Sequence, residues 1–486
     1  MKTIAVLGGG VSGHTAAQFL KRKLGKNHRV IVVTPNAKWN WIPSNIWVGI
    51  GEMKKEDVTF ELAPVYKKMN IEYLQAKAVS IHPNGQDKDN SPYVKIEYTG
   101  QGKVGQQEEL KYDYLINATG PKLNFHKTEG IGPEHGNTVS VCTYDHAEHA
   151  FKEFNGIIEK LRRGEEATIV IGTGHGTCTC QGAAFEYLMN IDHKITSLGL
   201  KDKANIIYIT NEARLGDFGV GGMHLKKGGY ITHSKVFAES LFAEREIGWI
   251  TGAHVEKVEK GTIHFEQLDG QKRSINYDFG MLIPPFSGVG ITAVDNDGSD
   301  ITEKLFKPNG FMIVDADYTG KEYKDWSAKD WPQTLQNPEW SNIFAVGIAF
   351  APPHAISEPR KSVNGTPIAP TPPRTGMPSA MMGKAVALSI CDMIKNNNTT
   401  PRHTACMSEM GAACVASTGS NLINGSAVSM TMFPIVQNFE KYPEHGRSLS
   451  LTFGEVGLAG HWIKTLLHYL FIYKAKAKPL WWLIPE

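Results

Sequence analysis

The sequence predicts an α/β protein with two Rossmann-like dinucleotide-binding domains and a carboxyl-terminal region that associates with a membrane. Three observations carry this prediction. A strand-like run ends in Gly8-Gly9-Gly10-Val11-Ser12-Gly13, and a second ends in Gly172-Thr173-Gly174-His175-Gly176. Near the end of the chain, 459–478 repeats apolar residues at spacings of three and four between lysines.

The first run, Lys2 to Leu7, reads as a buried parallel strand, followed by a helix through Lys23 and a strand Arg29–Val33. This βαβ setting makes the glycine motif specific, because the glycines permit the tight turn and the helix N-terminus faces a pyrophosphate. Thr34-Pro35-Asn36 stands where a ribose-binding acid is usual, so Thr34 or a backbone group must replace it. The segment 84–108 is polar and reads as an exposed hairpin.

The second unit is a strand Thr168–Ile171, its glycine turn, a helix from Cys178 to Asn190 and a strand Ala204–Thr210. Thr177 replaces the usual third glycine, while Glu212 keeps NAD binding possible there. Tyr112 to Gly120 ends in Ala-Thr-Gly and resembles the signature of a strand that re-crosses beside a flavin dinucleotide. Asn342–Gly347 supplies a further strand, with Ile348 where an acid is usual. Pro372-Pro373-Arg374-Thr375-Gly376 leads into a helix 377–394, whose positive end would face the flavin with Arg374 adding charge. Two segments, 321–342 with three tryptophans and 352–373 rich in proline, read as loops or lids without an assigned chemistry.

Composition narrows the function classes. The chain has 486 residues, 41% hydrophobic and 21% charged, with a net charge of +2, which calls for no nucleic acid. The longest uncharged run of the tail, Thr465 to Tyr473, is too short to span a bilayer. A strand and glycine loop begin almost at Met1, so no cleaved signal peptide is expected. The basic tail, with its apolar stripe and Trp481-Trp482, suits a lipid bilayer surface, or else a helix docked on the protein itself or on a second copy.

Six cysteines, at 142, 178, 180, 391, 406 and 414, make neither a disulfide framework nor, with Cys178-Thr-Cys180 unrepeated, a metal site. Cys391 on an apolar helix reads as a buried small side chain, and Cys178, thought to lie on the same helix as Cys180, as structural. Cys414 is a spare thiol or a resolving partner. A flavin that takes electrons from a sulfur compound needs a sulfur relay beside its ring, and Cys142, Cys180 and Cys406 are candidates.

Several segments resemble sulfide:quinone oxidoreductases and the flavoprotein subunit of flavocytochrome c sulfide dehydrogenase: Pro43 to Gly51, Val141-Cys142-Thr143-Tyr144-Asp145-His146-Ala147, Cys180 to Tyr187, Gly216 to Gly222, and Cys406-Met-Ser-Glu-Met-Gly. The resemblance implies the glutathione-reductase-like arrangement. The FAD-binding domain would be 1–120 and 305–395, the second Rossmann-like domain 121–304 with a vestigial NAD site, and 396–486 the membrane-associating region. FAD would be held by Gly8, Gly10, Ser12, Gly13, Thr34, Asn45, Val79, Thr119, Gly120, Gly347 and Arg374, with no metal. Cys180 and Cys406, bridged by a disulfide or a short sulfur chain, would be opened by hydrosulfide. A persulfide would remain on Cys180, and electrons would pass from Cys406 through FAD to a membrane quinone. Cys142 would assist sulfur release as polysulfide or zero-valent sulfur. His146 would carry protons or merely start a helix, and Phe433 would contact the quinone. The resemblance further implies a monotopic membrane protein and a homo-oligomer. A type II NADH:quinone oxidoreductase and a cytochrome-linked sulfide dehydrogenase subunit are the alternatives.

Overall fold

The computed structural model describes residues 1–86, 90–134, 136–419 and 425–486, without the side chains of Cys414 and Val415. The alternatives drawn for Cys414 therefore fall outside the described residues. The largest sheet runs in the order Ile343–Ala345, Tyr114–Asn117, Thr3–Leu7, Arg29–Thr34, Glu72–His82, Tyr93–Tyr98, Gln107–Lys111. Its inner strands are parallel, with Leu7 opposite both Val33 and Asn117 and Ala345 opposite Asn117. Ile4, Val6, Ile31 and Val33 are buried, as strands covered on both faces require. The segment read as an exposed hairpin is one, Tyr93–Tyr98 running antiparallel to Gln107–Lys111, and it forms the outer edge of this sheet.

Helix α1 (Val11–Leu24) follows the first glycine turn. Helix α2 (Tyr144–Arg162) is capped by Thr143, whose hydroxyl accepts from the His146 amide. The second unit is a parallel sheet in the order Gly248–Ile250, Ala204–Ile209, Ala167–Thr173, Phe279–Ile283. Helix α3 (Gln181–Ser197) begins three residues later than the sequence suggests. Its N-cap is Cys180 itself, in the left-handed region at φ 66°, so Cys178 lies in the loop before the helix. Helix α4 (Ser234–Glu244) follows a hairpin of His224–Lys227 and Tyr230–His233. Helix α5 (Gly376–Asn396) lies along α1, so closely that a Cβ at Gly383 would stand 2.2 Å from the Ser12 carbonyl oxygen.

A third sheet joins distant parts of the chain, in the order Tyr230–His233, His224–Lys227, Phe453–Gly457, Ser426–Met432, Ala412–Thr418. Lys226 pairs in parallel with Phe453, so the hairpin of the second unit and the carboxyl-terminal strands share one sheet.

Helix α6 (Leu458–Ala475) packs on that sheet. Its residues divide between two faces. Trp462, Ile463, Leu466, Tyr469 and Tyr473 are exposed, Tyr469 by 62%. Phe471 is buried and stacks on Trp41 at 4.6 Å between centroids. Two lysines read from sequence as a basic flank point inward: Lys464 pairs with buried Glu186, and Lys474, itself buried, with Glu486. Their partners lie far along the chain or beyond the helix, so helical spacing could not place them.

Candidate functional site

The first glycine turn fits a dinucleotide. Gly8 has φ 108°, and a Cβ there would stand 2.1 Å from the Ala118 carbonyl oxygen. A Cβ at Gly13 would meet the Gly8 carbonyl at the same distance. Nothing stands within 4 Å of a Cβ placed on Gly10, the N-cap of α1, and no side chain caps that helix. Its first-turn N–H groups are thus left for an anion such as a pyrophosphate. Gly120 beside Thr119 has φ 74°, and Gly347 has φ 66° with Ser12 Oγ 2.6 Å from where its Cβ would be. Thr34 is buried under this turn, its Cγ2 2.9 Å from a Cβ built on Gly9. Val79 sits at a bulge in Glu72–His82. α5 begins without a side-chain cap on Thr375, leaving a second helix N-terminus open. This cradle fits FAD.

The thiols gather on the second unit. Asn45 Nδ2 donates to the Val141 carbonyl at 3.2 Å and ties the Pro43–Gly51 segment to the residue before Cys142. Ser140 Oγ accepts from the Cys142 amide. Burial pushes the Cys142 thiol up, and burial together with nearby Cys142 pushes the Cys180 thiol up to about 12. Cys178 is buried, donates to the Ile283 carbonyl at 3.0 Å, and feels both other thiols. The three sulfurs therefore lie close enough to act on one another, whereas a single helix from Cys178 would point Cys178 away from Cys180. The Cys-Thr-Cys spacing was the available signal, obscured by starting the helix too early.

Arg374 stands by Cys180 and lowers the thiol's pKa against the effect of burial. Its guanidinium is turned to the chain: it donates to the Phe350 carbonyl at 3.1 Å and stacks over Phe311 and Phe350. Burial lowers it to about 10, so it remains a cation at neutral pH.

Cys406 is buried beside a different wall. Its Sγ is 3.0 Å from Ser408 Oγ and 3.9 Å from the Trp331 carbonyl oxygen. Cys180 and Cys406 are both free thiols, so the bridge implied by the resemblance is not formed here. Phe433 lies against Gly411, and Met410 and Ile435 are joined by a backbone hydrogen bond. His146 keeps a buried Nδ1 without a protein partner and meets the edge of Phe125. Burial lowers its pKa, so its ring is neutral at neutral pH.

The second glycine turn is closed by the proline-rich loop. A Cβ at Gly176 would stand 2.1 Å from the Pro367 carbonyl oxygen. The Gly176 amide donates to His254 Nδ1 at 2.9 Å, and its carbonyl accepts from Ala369. Farther along, the Thr371 amide reaches the Cys178 carbonyl and Thr179 Oγ1 donates to Pro372. Glu212, which the sequence left open for a ribose, is buried and accepts from the Phe218 amide at 2.7 Å and Thr210 Oγ1 at 2.8 Å. Its carboxylate is committed to the protein.

Comparison with known proteins agrees with this geometry. Residues 2–212 match the family described as pyridine nucleotide-disulphide oxidoreductase. The sulfide-quinone reductase of Aquifex aeolicus is 29% identical over 477 residues, covering 98% of this chain and 91% of the relative. The mitochondrial sulfide:quinone oxidoreductase of Mus musculus is 24% identical over 71% of this chain, which spans 64% of the mouse protein. The X-ray structure of the sulfide:quinone oxidoreductase from A. aeolicus superposes with a TM-score of 0.74 over 98% of this chain and 92% of its own. NDH2 from Plasmodium falciparum, in complex with NADH, shares the fold at a TM-score of 0.63 and 13% identity, covering 98% and 96% of the two chains. A fitting dinucleotide cradle, neighbouring thiols and relatives alike over almost its whole length make the chain similar to sulfide:quinone oxidoreductases, with FAD as its cofactor.

Proposed function

We propose that this enzyme oxidises hydrogen sulfide to polysulfide or zero-valent sulfur and delivers the electrons to a membrane quinone. The observation that carries the reading is the placement of Cys180: half-buried, as the N-cap of α3, within the electrostatic reach of Cys142 and of the Arg374 cation. Against the burial that raises this thiol, a helix N-terminus and the Arg374 guanidinium both favour a sulfur anion there.

The chain's residues divide the work. Cys180 and Cys406 cycle between the free thiols described above and a sulfur bridge. Hydrosulfide opens the bridge at Cys180, forming one S–S bond and breaking another. A persulfide stays on Cys180 and Cys406 leaves as a thiolate, which the Ser408 hydroxyl stabilises by hydrogen bonding. Cys142, next to Cys180, takes the added sulfur onward by exchange, and neutral His146 accepts the proton released nearby. Bound FAD supplies the two-electron acceptor between the sulfur pair and the quinone. Phe433 serves as the ring against which the quinone lies.

We also assign the exposed face of α6 to the bilayer surface. Trp462, Ile463, Leu466, Tyr469 and Tyr473 form an apolar and aromatic stripe suited to the interface. No helix among the described residues is long and apolar enough to cross a membrane, which supports contact from one side.

The rival NADH-driven reading conflicts with Pro367 in the second glycine turn and with the internal engagement of Glu212. The test is anaerobic reduction of the bound flavin. Sulfide should bleach it and NADH should not; bleaching by NADH alone would overturn the reading. Cys180→Ala and Cys406→Ala should each lower sulfide-dependent quinone reduction at least 10³-fold with FAD retained, following the scale on which nucleophile removal acts.

A further inference from the structure

The tryptophan-rich and proline-rich loops meet in the fold and build a polar cluster outside Cys406. The His354 ring stacks on Trp326 at 4.1 Å between centroids and meets Trp331 edge-on at 5.3 Å. Tyr323 packs against Trp326 and fastens the two loops, its hydroxyl donating to the Ile356 carbonyl at 2.8 Å. Three nitrogens of these touching rings, Trp326 Nε1, Trp331 Nε1 and His354 Nε2, are buried without a protein partner. Trp331 is only 1% exposed. Buried donors and acceptors are ordinarily paired, so three orphans in one ring cluster point to a ligand that meets them. Cys406 touches the same tryptophan through its carbonyl oxygen. On the outer side, Trp326, His354, Tyr323 and Lys321 line a cavity of about 260 Å³.

We propose that this cluster receives the sulfur substrate: hydrogen sulfide enters by the cavity, gives a proton to His354 Nε2, and stays beside Cys406 as hydrosulfide held by the Trp326 and Trp331 N–H groups. The inference rests on the sulfide-oxidising reading above.

The assignment of roles follows from the hydrogen bonding. His354 Nδ1 faces the Ala355 carbonyl at 3.0 Å, and a carbonyl can only accept, so Nδ1 carries the hydrogen and Nε2 the lone pair. The step balances as hydrogen sulfide plus imidazole giving hydrosulfide plus imidazolium. One S–H bond breaks, one N–H bond forms, and no electron moves until the sulfur pair is attacked. The indole N–H groups are donors only, so they favour the anion over the neutral hydride. Among the groups facing the imidazole, Asp330 and a backbone hydrogen bond to Ser327 favour its protonated form and Lys321 opposes it. Lys321 is paired with both Asp330 and Asp317, which blunts its opposition. Burial lowers the His354 pKa, so the ring begins neutral and able to accept.

The experiment uses the full-length holoenzyme. Trp326→Phe with Trp331→Phe keeps an aromatic ring at each position and removes both N–H groups. It should raise the KM for sulfide at least ten-fold while the KM for a water-soluble quinone analogue is unmoved. His354→Gln should lower kcat/KM for sulfide by up to about 10²-fold on the acid side of neutrality, where neutral hydrogen sulfide prevails, the scale of one general base. That loss should shrink as pH rises and hydrosulfide forms in solution without help, a recovery that a merely structural defect would not give. A sulfide KM within two-fold of wild type in the double variant, or a His354→Gln deficit of equal size at every pH, overturns the proposal. Bromide soaked into wild-type crystals reads the site without the reaction. An anomalous peak at the three nitrogens supports it even if sulfide fails to bleach the flavin, whereas an empty cluster counts against it even if sulfide bleaches normally.

Discussion

Glu212 stands at the end of a strand where related folds hold a ribose, yet every contact it makes is internal. Burial and the neighbouring Asp217 raise its carboxyl to about 7. The sign follows directly. The folded state holds this proton to a higher pH than the unfolded chain, whose value is 4.5. Stability is therefore greatest below about 4.5, falls as pH rises towards about 7, and is level above that, a loss of about 3 kcal/mol from this group. Asp217, also raised by burial, acts in the same direction. Glu212→Gln should flatten the decline in melting temperature between pH 5 and 7, measured against wild type in the same buffers. A variant with an undiminished slope would show that the carboxyl does not titrate there. Cys178 carries a different lesson at this scale. The left-handed turn at Cys180 keeps Cys178 out of the helix, and the Cys-Thr-Cys spacing hints at the pairing of sulfurs without announcing that turn.

Between α3 and α6, the Lys464–Glu186 pair joins the helix that begins at Cys180 to the helix with the exposed apolar face. Lys464 Nζ lies 2.7 and 2.8 Å from the two carboxylate oxygens, and the Ser417 amide adds a third donor at 3.2 Å. Removing one partner strands the other charge away from water. Lys464→Met should cost about 3–5 kcal/mol near neutral pH by chemical denaturation. The cost should diminish in acid, where Glu186 takes a proton, since burial already raises its pKa. The double variant Lys464→Met, Glu186→Leu should regain most of that stability. The elements themselves were largely legible. Strands Thr3–Leu7, Arg29–Thr34 and Ala167–Thr173 and the glycine turns after the first and third are encoded within a few neighbouring residues. Their apolar runs, and at Gly8 a positive φ, leave little choice. What escaped was the inward turn of Lys464 and Lys474, because a lysine at helical spacing looks the same whether it meets water or a carboxylate from elsewhere. The loops 321–342 and 352–373 read correctly as loops, but their mutual packing depends on aromatic contacts that no local pattern specifies.

At the scale of the whole molecule, the exposed stripe of α6 predicts how the protein meets lipid. Ile463 and Leu466 are 52% and 56% exposed. Burying each in the interface is worth about 1–2 kcal/mol, given that half of each side chain is already covered. Ile463→Glu with Leu466→Glu should therefore weaken co-sedimentation with phosphatidylcholine–phosphatidylglycerol vesicles at least ten-fold. The melting temperature should hardly move, because both positions face outward. Equal sedimentation of variant and wild type would remove α6 from the bilayer contact.

The hydrogen-bonded seam between Lys226 and Phe453 has a consequence for biogenesis. The hairpin leaves the ribosome long before its neighbour exists, and at about 5–20 residues per second the wait lasts roughly 10–40 s. During that interval one edge of His224–Lys227 has no strand to zip against, an invitation to mispair with a nascent sister. Truncations that stop short of residue 450 should accordingly be harvested as inclusion bodies, and slower, cooler expression should favour the complete protein.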